Sequence, residues 1–167
     1  MSLDRPKELL KPVKQRFILF TFAIATLAML CPLPWSIAIW FPDVIGLLLL
    51  YWTINQPRQV NIGTAFLMGL IADIVSDSVF GQHALAYSMT TFFTLLRQRQ
   101  LIMFNLGQQA VSAFLLLQAN QFIMMAVRML TGSAFVGIGY FFSPLTSALL
   151  WPLLTKLLLF PYRHHTA

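Results

Sequence analysis

The chain has 167 residues, of which 58% are hydrophobic and 10% charged, and its formal net charge is +6. A soluble domain carries about 25% charged residues, and a body of this length has too little interior to hide so much apolar surface. These values exclude a soluble globular enzyme, a disordered tail and a secreted disulfide scaffold, and leave an integral membrane protein of one domain. The one cysteine, Cys31, excludes an internal disulfide or a multi-thiolate metal site and reads as a small apolar helix residue.

Residues 1–16 form a polar, basic tail interrupted by Pro6 and Pro12. The unbroken apolar run 17–31 predicts the first membrane helix, stopped by Pro32 and Pro34. A cleaved signal peptide is disfavoured, because the apolar run continues past the small residues Ala23 and Ala25. Trp35 to Trp40 reads as an interfacial segment, since Trp favours the membrane surface. Pro42 and Asp43 then suit the first turn of a short second helix, 44–56, ended by Pro57. A third helix is expected over 61–79 and, after a turn at Gly81, a fourth over 83–96, closed by the polar stretch Arg97-Gln98-Arg99-Gln100. Helix five is expected over 107–130, and helix six over 142–160 with a kink near Pro152. Residues 17–161 thus form a single six-helix membrane domain, with a short tail at 162–167.

Six crossings put both termini on one side. Ten of the eleven cations then share that side: Arg5, Lys7, Lys11, Lys14 and Arg16 in the tail, with Arg58, Arg97, Arg99, Lys156 and Arg163. Arg128 alone falls opposite, so the positive-inside rule places both termini in the cytoplasm. Merging the second and third helices would bury Arg58 at a cost of about 2.5–3.5 kcal/mol. Outside the apolar runs no basic patch carries interleaved aromatics, so no nucleic-acid partner is expected. The basic tail is able to hold anionic lipid, at about 1 kcal/mol per cation near the surface.

Within the apolar runs, Asp73 stands out, because a carboxylate in a membrane helix has to face protein or water. It borders a stripe of small residues, Ala65, Gly69, Ala72 and Ser76, at a spacing that lets another helix approach closely. Two readings of Asp73 stay open: a partner contact, or a carboxylate that caps or hydrogen-bonds a neighbouring helix. Asp77 lies one turn on, but no third ligand accompanies the pair, so a metal site is not expected. Gln118, Asn120 and Gln121 in helix five read as interhelical glue or as the lining of a binding site, and Thr90, Thr91 and Thr94 as glue. Arg128 and Lys156 are expected to snorkel, and His83 to sit in a loop or at a helix start. A phosphate-binding loop, a dinucleotide fingerprint, a nucleophile elbow and an HExxH motif are all missing, so neither catalysis nor a cofactor is expected.

One stretch has a recognisable order: Pro42-Asp43, the run Leu47 to Trp52, Pro57-Arg58 with Gly63, Gly69-Leu70-Ile71-Ala72-Asp73, Gly81, and Ala84-Leu85. It closely resembles the bacterial rod shape-determining protein MreD family over residues 42–85, and the chain's length, basic N-terminus and helix layout fit the rest. The resemblance implies an all-α integral membrane protein, similar in fold to the substrate-binding subunits of energy-coupling-factor transporters. It also implies a non-enzymatic role in the bacterial inner membrane, in the complex that elongates the cell wall and maintains rod shape. The implied partners are MreC, MreB, a RodA-type glycosyltransferase and a penicillin-binding transpeptidase. Pro42, Asp43, Arg58, Gly63, Gly69, Leu70, Asp73 and Gly81 match the family's pattern; Asp77 departs from it, since a small residue is expected there. The alternative is a small-molecule-binding membrane subunit of a transporter, which would require an enclosed polar pocket.

Overall fold

The computed structural model describes residues 13–31, 34, 40–133 and 137–163, with side chains assigned up to Leu158 and excluding Ile138. Arg5, Lys7, Lys11, Trp35 and the pair His164-His165 lie outside the described residues. Among the described residues the regular structure is all helical, with six α-helices: α1 (Gln15–Met29), α2 (Val44–Asn55), α3 (Ile62–Val75), α4 (Gln82–Met103), α5 (Leu106–Leu130) and α6 (Ser143–Arg163), the last preceded by a short 3-10 helix, Ile138–Phe142. Leu106–Leu130 and Gly139–Leu158 are long and apolar enough to cross a membrane.

The leucine-rich, largely apolar sequence of α2 decides the architecture. A helix that is apolar on every side has to be surrounded. Every α2 residue from Ile45 to Ile54 is buried, and the helix touches α1, α4, α5 and α6. Its 12 residues rise only about 18 Å, well short of an apolar slab about 30 Å thick. The other helices, rather than lipid, solvate it. Trp52 anchors α1 to this post, its ring edge-on to Phe17 at 6.0 Å and its Nε1 donating to Thr21 Oγ1 at 3.1 Å. Trp151 of α6 meets Tyr51 on another side.

Around α2 the usual polarity of a protein is inverted. Thr53, Thr91, Thr94, Asn120 and Ser147 are wholly or almost wholly buried. Leu27, Leu67, Ile74, Leu115 and Leu149 are more than 60% exposed. Large apolar side chains outside with polar groups inside are what a protein solvated by hydrocarbon presents.

Three helix boundaries differ from the sequence-based expectation. The polar stretch Arg97 to Gln100 does not end α4, which continues to Met103. Arg and Gln are good helix formers, and Gln98 donates to the Ile54 carbonyl at 2.8 Å, fastening α4 to the end of α2. The break comes at Asn105, which opens α5 with a capping box: its side chain accepts from Gln108 N, and the Gln108 side chain accepts from Asn105 N. Helix α3 ends at Val75 rather than 79. Ser76 is its C-cap, Asp77 takes a left-handed φ of 48°, and Ser78 N donates back to the Asp73 carbonyl at 3.1 Å, closing a Schellman turn. Cys31, finally, lies just beyond α1 and is exposed, so it is not a helix residue.

Gly69 shows how tightly α3 and α4 pack. A Cβ placed there would collide with the backbone of His83 and Ala84, which cannot swing aside as a side chain could. At Gly63, by contrast, a Cβ would meet only the Asn61 side chain, at 3.3 Å. Gly69→Ala is expected to destabilise the protein by about 1–3 kcal/mol through overpacking. Gly63→Ala is expected to be neutral or stabilising by up to about 1 kcal/mol through helix propensity. Melting midpoints of the two purified variants in one detergent should move in opposite directions, or only the first should move.

Candidate functional site

Gly81, with φ 92°, turns the chain into α4 but brings no side chain to cap it. The helix therefore starts with its backbone N–H groups lacking a local acceptor. Asp73, in the last turn of α3, supplies one from across the hairpin. Its Oδ2 accepts from Gly81 N at 2.8 Å and Ala84 N at 3.4 Å, and its Oδ1 from His83 N at 2.8 Å. Ser78 Oγ donates to Oδ1 at 2.9 Å, and His83 Nδ1 lies 2.8 Å from the same oxygen. An ionised carboxylate only accepts, so the His83 nitrogen facing it carries the proton. Negative charge at a helix N-terminus is also favoured by the helix dipole. Of the two readings of Asp73 left open by the sequence, the geometry supplies the capping one.

His83 links this cap to a second acid. Its ring lies edge-on to Tyr87 at 5.7 Å, and Tyr87 OH donates to Asp43 Oδ1 at 2.8 Å. Asp43 is the N-cap of α2, with Oδ1 also accepting from Gly46 N at 2.8 Å. Its Oδ2 accepts from Asn120 Nδ2 of α5 at 3.4 Å, and its own N–H donates to Ser147 Oγ of α6 at 3.0 Å. Asn120 Oδ1 in turn accepts from Thr90 at 3.3 Å. One residue thus joins α2, α4 and α5 through its carboxylate and α6 through its backbone N–H. Gly46 makes room for it, because a Cβ there would run into Asp43 and Leu117.

The structure brings Asp43, Asp73, Gly69, Gly81 and Asn120 into this end of the bundle. Ala65 and Ala72 are buried in the same α3 stripe, facing α4 within the chain. Ser76 departs from that stripe: it follows the helix, is exposed, and returns its hydroxyl to the Ala72 carbonyl at 2.7 Å. Leu70 is half-buried. Arg58 is exposed and Gly63 stands near the start of α3, both at the opposite end of the bundle, where Gln59 binds the Val13 carbonyl of the α1 start. Gln118 is half-buried and takes no part in the network. Asp77 occupies the left-handed turn position instead of sharing a helix face with Asp73. Arg128 is held rather than snorkelling freely: its Nε donates to Gln82 Oε1 at 3.1 Å, and its guanidinium lies 5.7 Å from the centre of the Tyr140 ring. Sequence reasoning placed His83 in a loop or at a helix start, and it lies in the first turn of α4, but its contact with Asp73 was missed, as were Tyr87, Gly46 and Ser147. Only His83, ten residues after Asp73 across a Gly turn, left a signal that could have been used.

Beside this network lies a cavity of about 390 Å³, lined by Asp43, His83, Tyr87, Gln121 and Tyr140 on its polar side. Of the three amides singled out in helix five, Gln121 alone lines it. Among the described residues no group of three His, Cys, Asp or Glu side chains is placed to hold a metal ion.

Asp73→Ala leaves several buried donors without an acceptor, and its expected cost is on the order of 2–4 kcal/mol. Asp77→Gly removes a left-handed non-glycine residue and is expected to be neutral or stabilising by about 1 kcal/mol. Thermal melts of the two variants beside the parent chain, with amide hydrogen exchange at the start of α4, measure both.

The family described as rod shape-determining protein MreD matches residues 12–161. The rod shape-determining protein MreD of Haemophilus influenzae is 31% identical over 137 residues, covering 81% of this chain and 83% of that protein. No solved structure matches significantly. The match takes in the Asp43 and Asp73 caps, the Gly69 approach and the Gly81 turn together, and the chain belongs to the MreD family of rod shape-determining proteins.

Proposed function

We propose that the protein is a non-enzymatic membrane scaffold of the bacterial cell-wall elongation complex, crossing the inner membrane six times with both termini in the cytoplasm. The observation that carries this reading is the family match over residues 12–161. The fate of the polar groups agrees with it. Asp43, Asp73, Asn120 and Ser147 are each engaged in holding helices together, which builds a stiff body for partners to bind. Rigid docking faces suit a scaffold, because partners bound to them lose less freedom on assembly.

The direct partner in this reading is an MreC protein, with MreB, a RodA-type glycosyltransferase and a penicillin-binding transpeptidase in the wider assembly. The exposed apolar faces of α3 and α5, carrying Leu67, Ile74, Leu115 and Phe122, offer surface for neighbouring membrane helices. The inward-facing small stripe of α3 is already used by α4, so those outer faces are the better contact candidates. The similarity in fold to energy-coupling-factor binding subunits belongs to the same proposal. The second reading, a small-molecule-binding subunit of a transporter, draws on the cavity beside Asp43.

Depletion of the protein in a rod-shaped host lacking a second copy should turn rods into spheres, and plasmid-borne parent chain should restore them. Rods that persist after depletion would contradict the scaffold reading. Co-purification with the host's MreC in mild detergent is expected for the parent chain and Asp77→Ala, and to be reduced for Asp73→Ala. Equal recovery with all three would remove Asp73 from the assembly.

A further inference from the structure

Half-buried hydroxyls along the helices need nothing from outside. Thr26 returns its hydroxyl to the Phe22 carbonyl, Ser88 to that of Ala84, Ser112 to that of Gln108 and Thr146 to that of Ser143. Gln118 differs from them. It is half-buried, its amide is not sealed in the interior, and it makes no hydrogen bond with any described residue. It is also the middle residue of the 25 in α5, about 18 Å of helix from either end. Helix α5 is long and apolar enough to cross a membrane, which puts this amide near the middle of a hydrocarbon slab about 30 Å thick. Water does not reach that depth, so the two N–H donors and the carbonyl of the amide have to find protein.

The residues around Gln118 form a seam. Val111, Leu115, Phe122 and Met129 are each more than half exposed. With Gln118 they recur at steps of four, three, four and then seven residues, the spacing of a coiled-coil seam. The position this spacing skips, Met125, is buried. Phe122 also rests on Phe141 at 5.0 Å, which steadies its ring on this face. A repeat of this kind is how two helices meet at a shallow left-handed crossing, and a polar residue within it sets the register and the number of partners.

The amide also says which helix fits. It carries donors and an acceptor, so it is its own complement. Two copies related by a twofold axis along the membrane normal run parallel and bring the same residue to the same depth. Gln118 of one copy then meets Gln118 of the other, each carbonyl accepting from the other's N–H. A helix of another protein would need a polar group at this depth, whereas a second copy has one by symmetry.

We propose that the outer face of α5 is an interface between two copies of this chain, a parallel helix pair centred on reciprocal Gln118 hydrogen bonds, with Val111, Leu115 and Phe122 packed along the same seam. The pairing rests on α5 lying in the membrane and does not depend on the role in cell shape.

The test uses the full chain in phospholipid vesicles. Energy transfer between N-terminally labelled copies, followed as the protein is diluted in lipid, gives the dissociation constant of the pair. The parent chain should dimerise. Gln118→Leu should weaken the dimer about tenfold, and Gln118→Asn, which keeps an amide, should weaken it less. A second probe serves if the leucine variant does not fold. In a Cys31→Ser background, which removes the native thiol, oxidation should link copies carrying Leu115→Cys and leave unlinked those carrying Leu149→Cys, on the exposed face of α6. A monomer at every dilution would overturn the proposal, as would a Gln118→Leu dimer as tight as the parent's or equal linking at both cysteines. Linking of Leu115→Cys in host membranes to another protein alone would replace the second copy with a foreign helix. Reaction of Leu115→Cys with a water-soluble maleimide in vesicles would overturn the proposal through its membrane premise instead.

Discussion

The carboxylate of Asp73 on the N-terminus of α4 is the contact from which the rest of the polar architecture follows. Gly81 allows the chain to turn but gives the new helix no cap, and the acid of the preceding helix fills that role. The cap is possible only because Gly69, one turn earlier, lets the α4 backbone lie against α3. Close approach and capping are two halves of one device. Once α4 is pinned there, His83 is held against Asp73, and Tyr87, one turn on, reaches Asp43.

Asp43 carries the arrangement across the bundle. It starts the central helix and at the same time binds α4, α5 and α6. In a protein solvated by lipid, no hydrophobic effect favours one helix pairing over another, since lipid tails are as apolar as leucine. Directional hydrogen bonds in a low-dielectric interior then discriminate between packings more sharply than apolar area does. The hydroxyls, amides and carboxylates gathered at this end of the bundle hold α2 to α6 in one register.

Membership of the MreD family gives a physical meaning to several positions of the family pattern. The glycine and aspartate of Gly69-Leu70-Ile71-Ala72-Asp73 serve the α3–α4 junction, and Pro42-Asp43 opens the central helix. These are positions that build the scaffold. Arg58 and Gly63, at the other end of the bundle, are exposed and make no comparable junction.

Composition and apolar run length were enough to anticipate the six α-helices found among the described residues, since a helix in an apolar setting must be apolar along its length. The importance of Asp43, Gly69 and Asp73 was also legible, because a charge or a missing side chain is conspicuous among leucines. Sequence could not supply what those residues touch. His83 and Ser147 reach their acids through the packing of helices, Ser147 from 104 residues away, and no local periodicity records such a contact. Helix ends were misjudged for the same reason. The Arg97–Gln100 stretch looks like a break in a hydropathy profile, yet it stays helical, and Gln98 there finds a carbonyl on α2. The end of α3 is set by a left-handed turn at Asp77 that apolarity does not encode. The sequence by itself determined which residues had to avoid lipid. Tertiary structure alone decided which of them met, because a hydrogen bond depends on distances of a few tenths of an ångström between helices far apart in the chain.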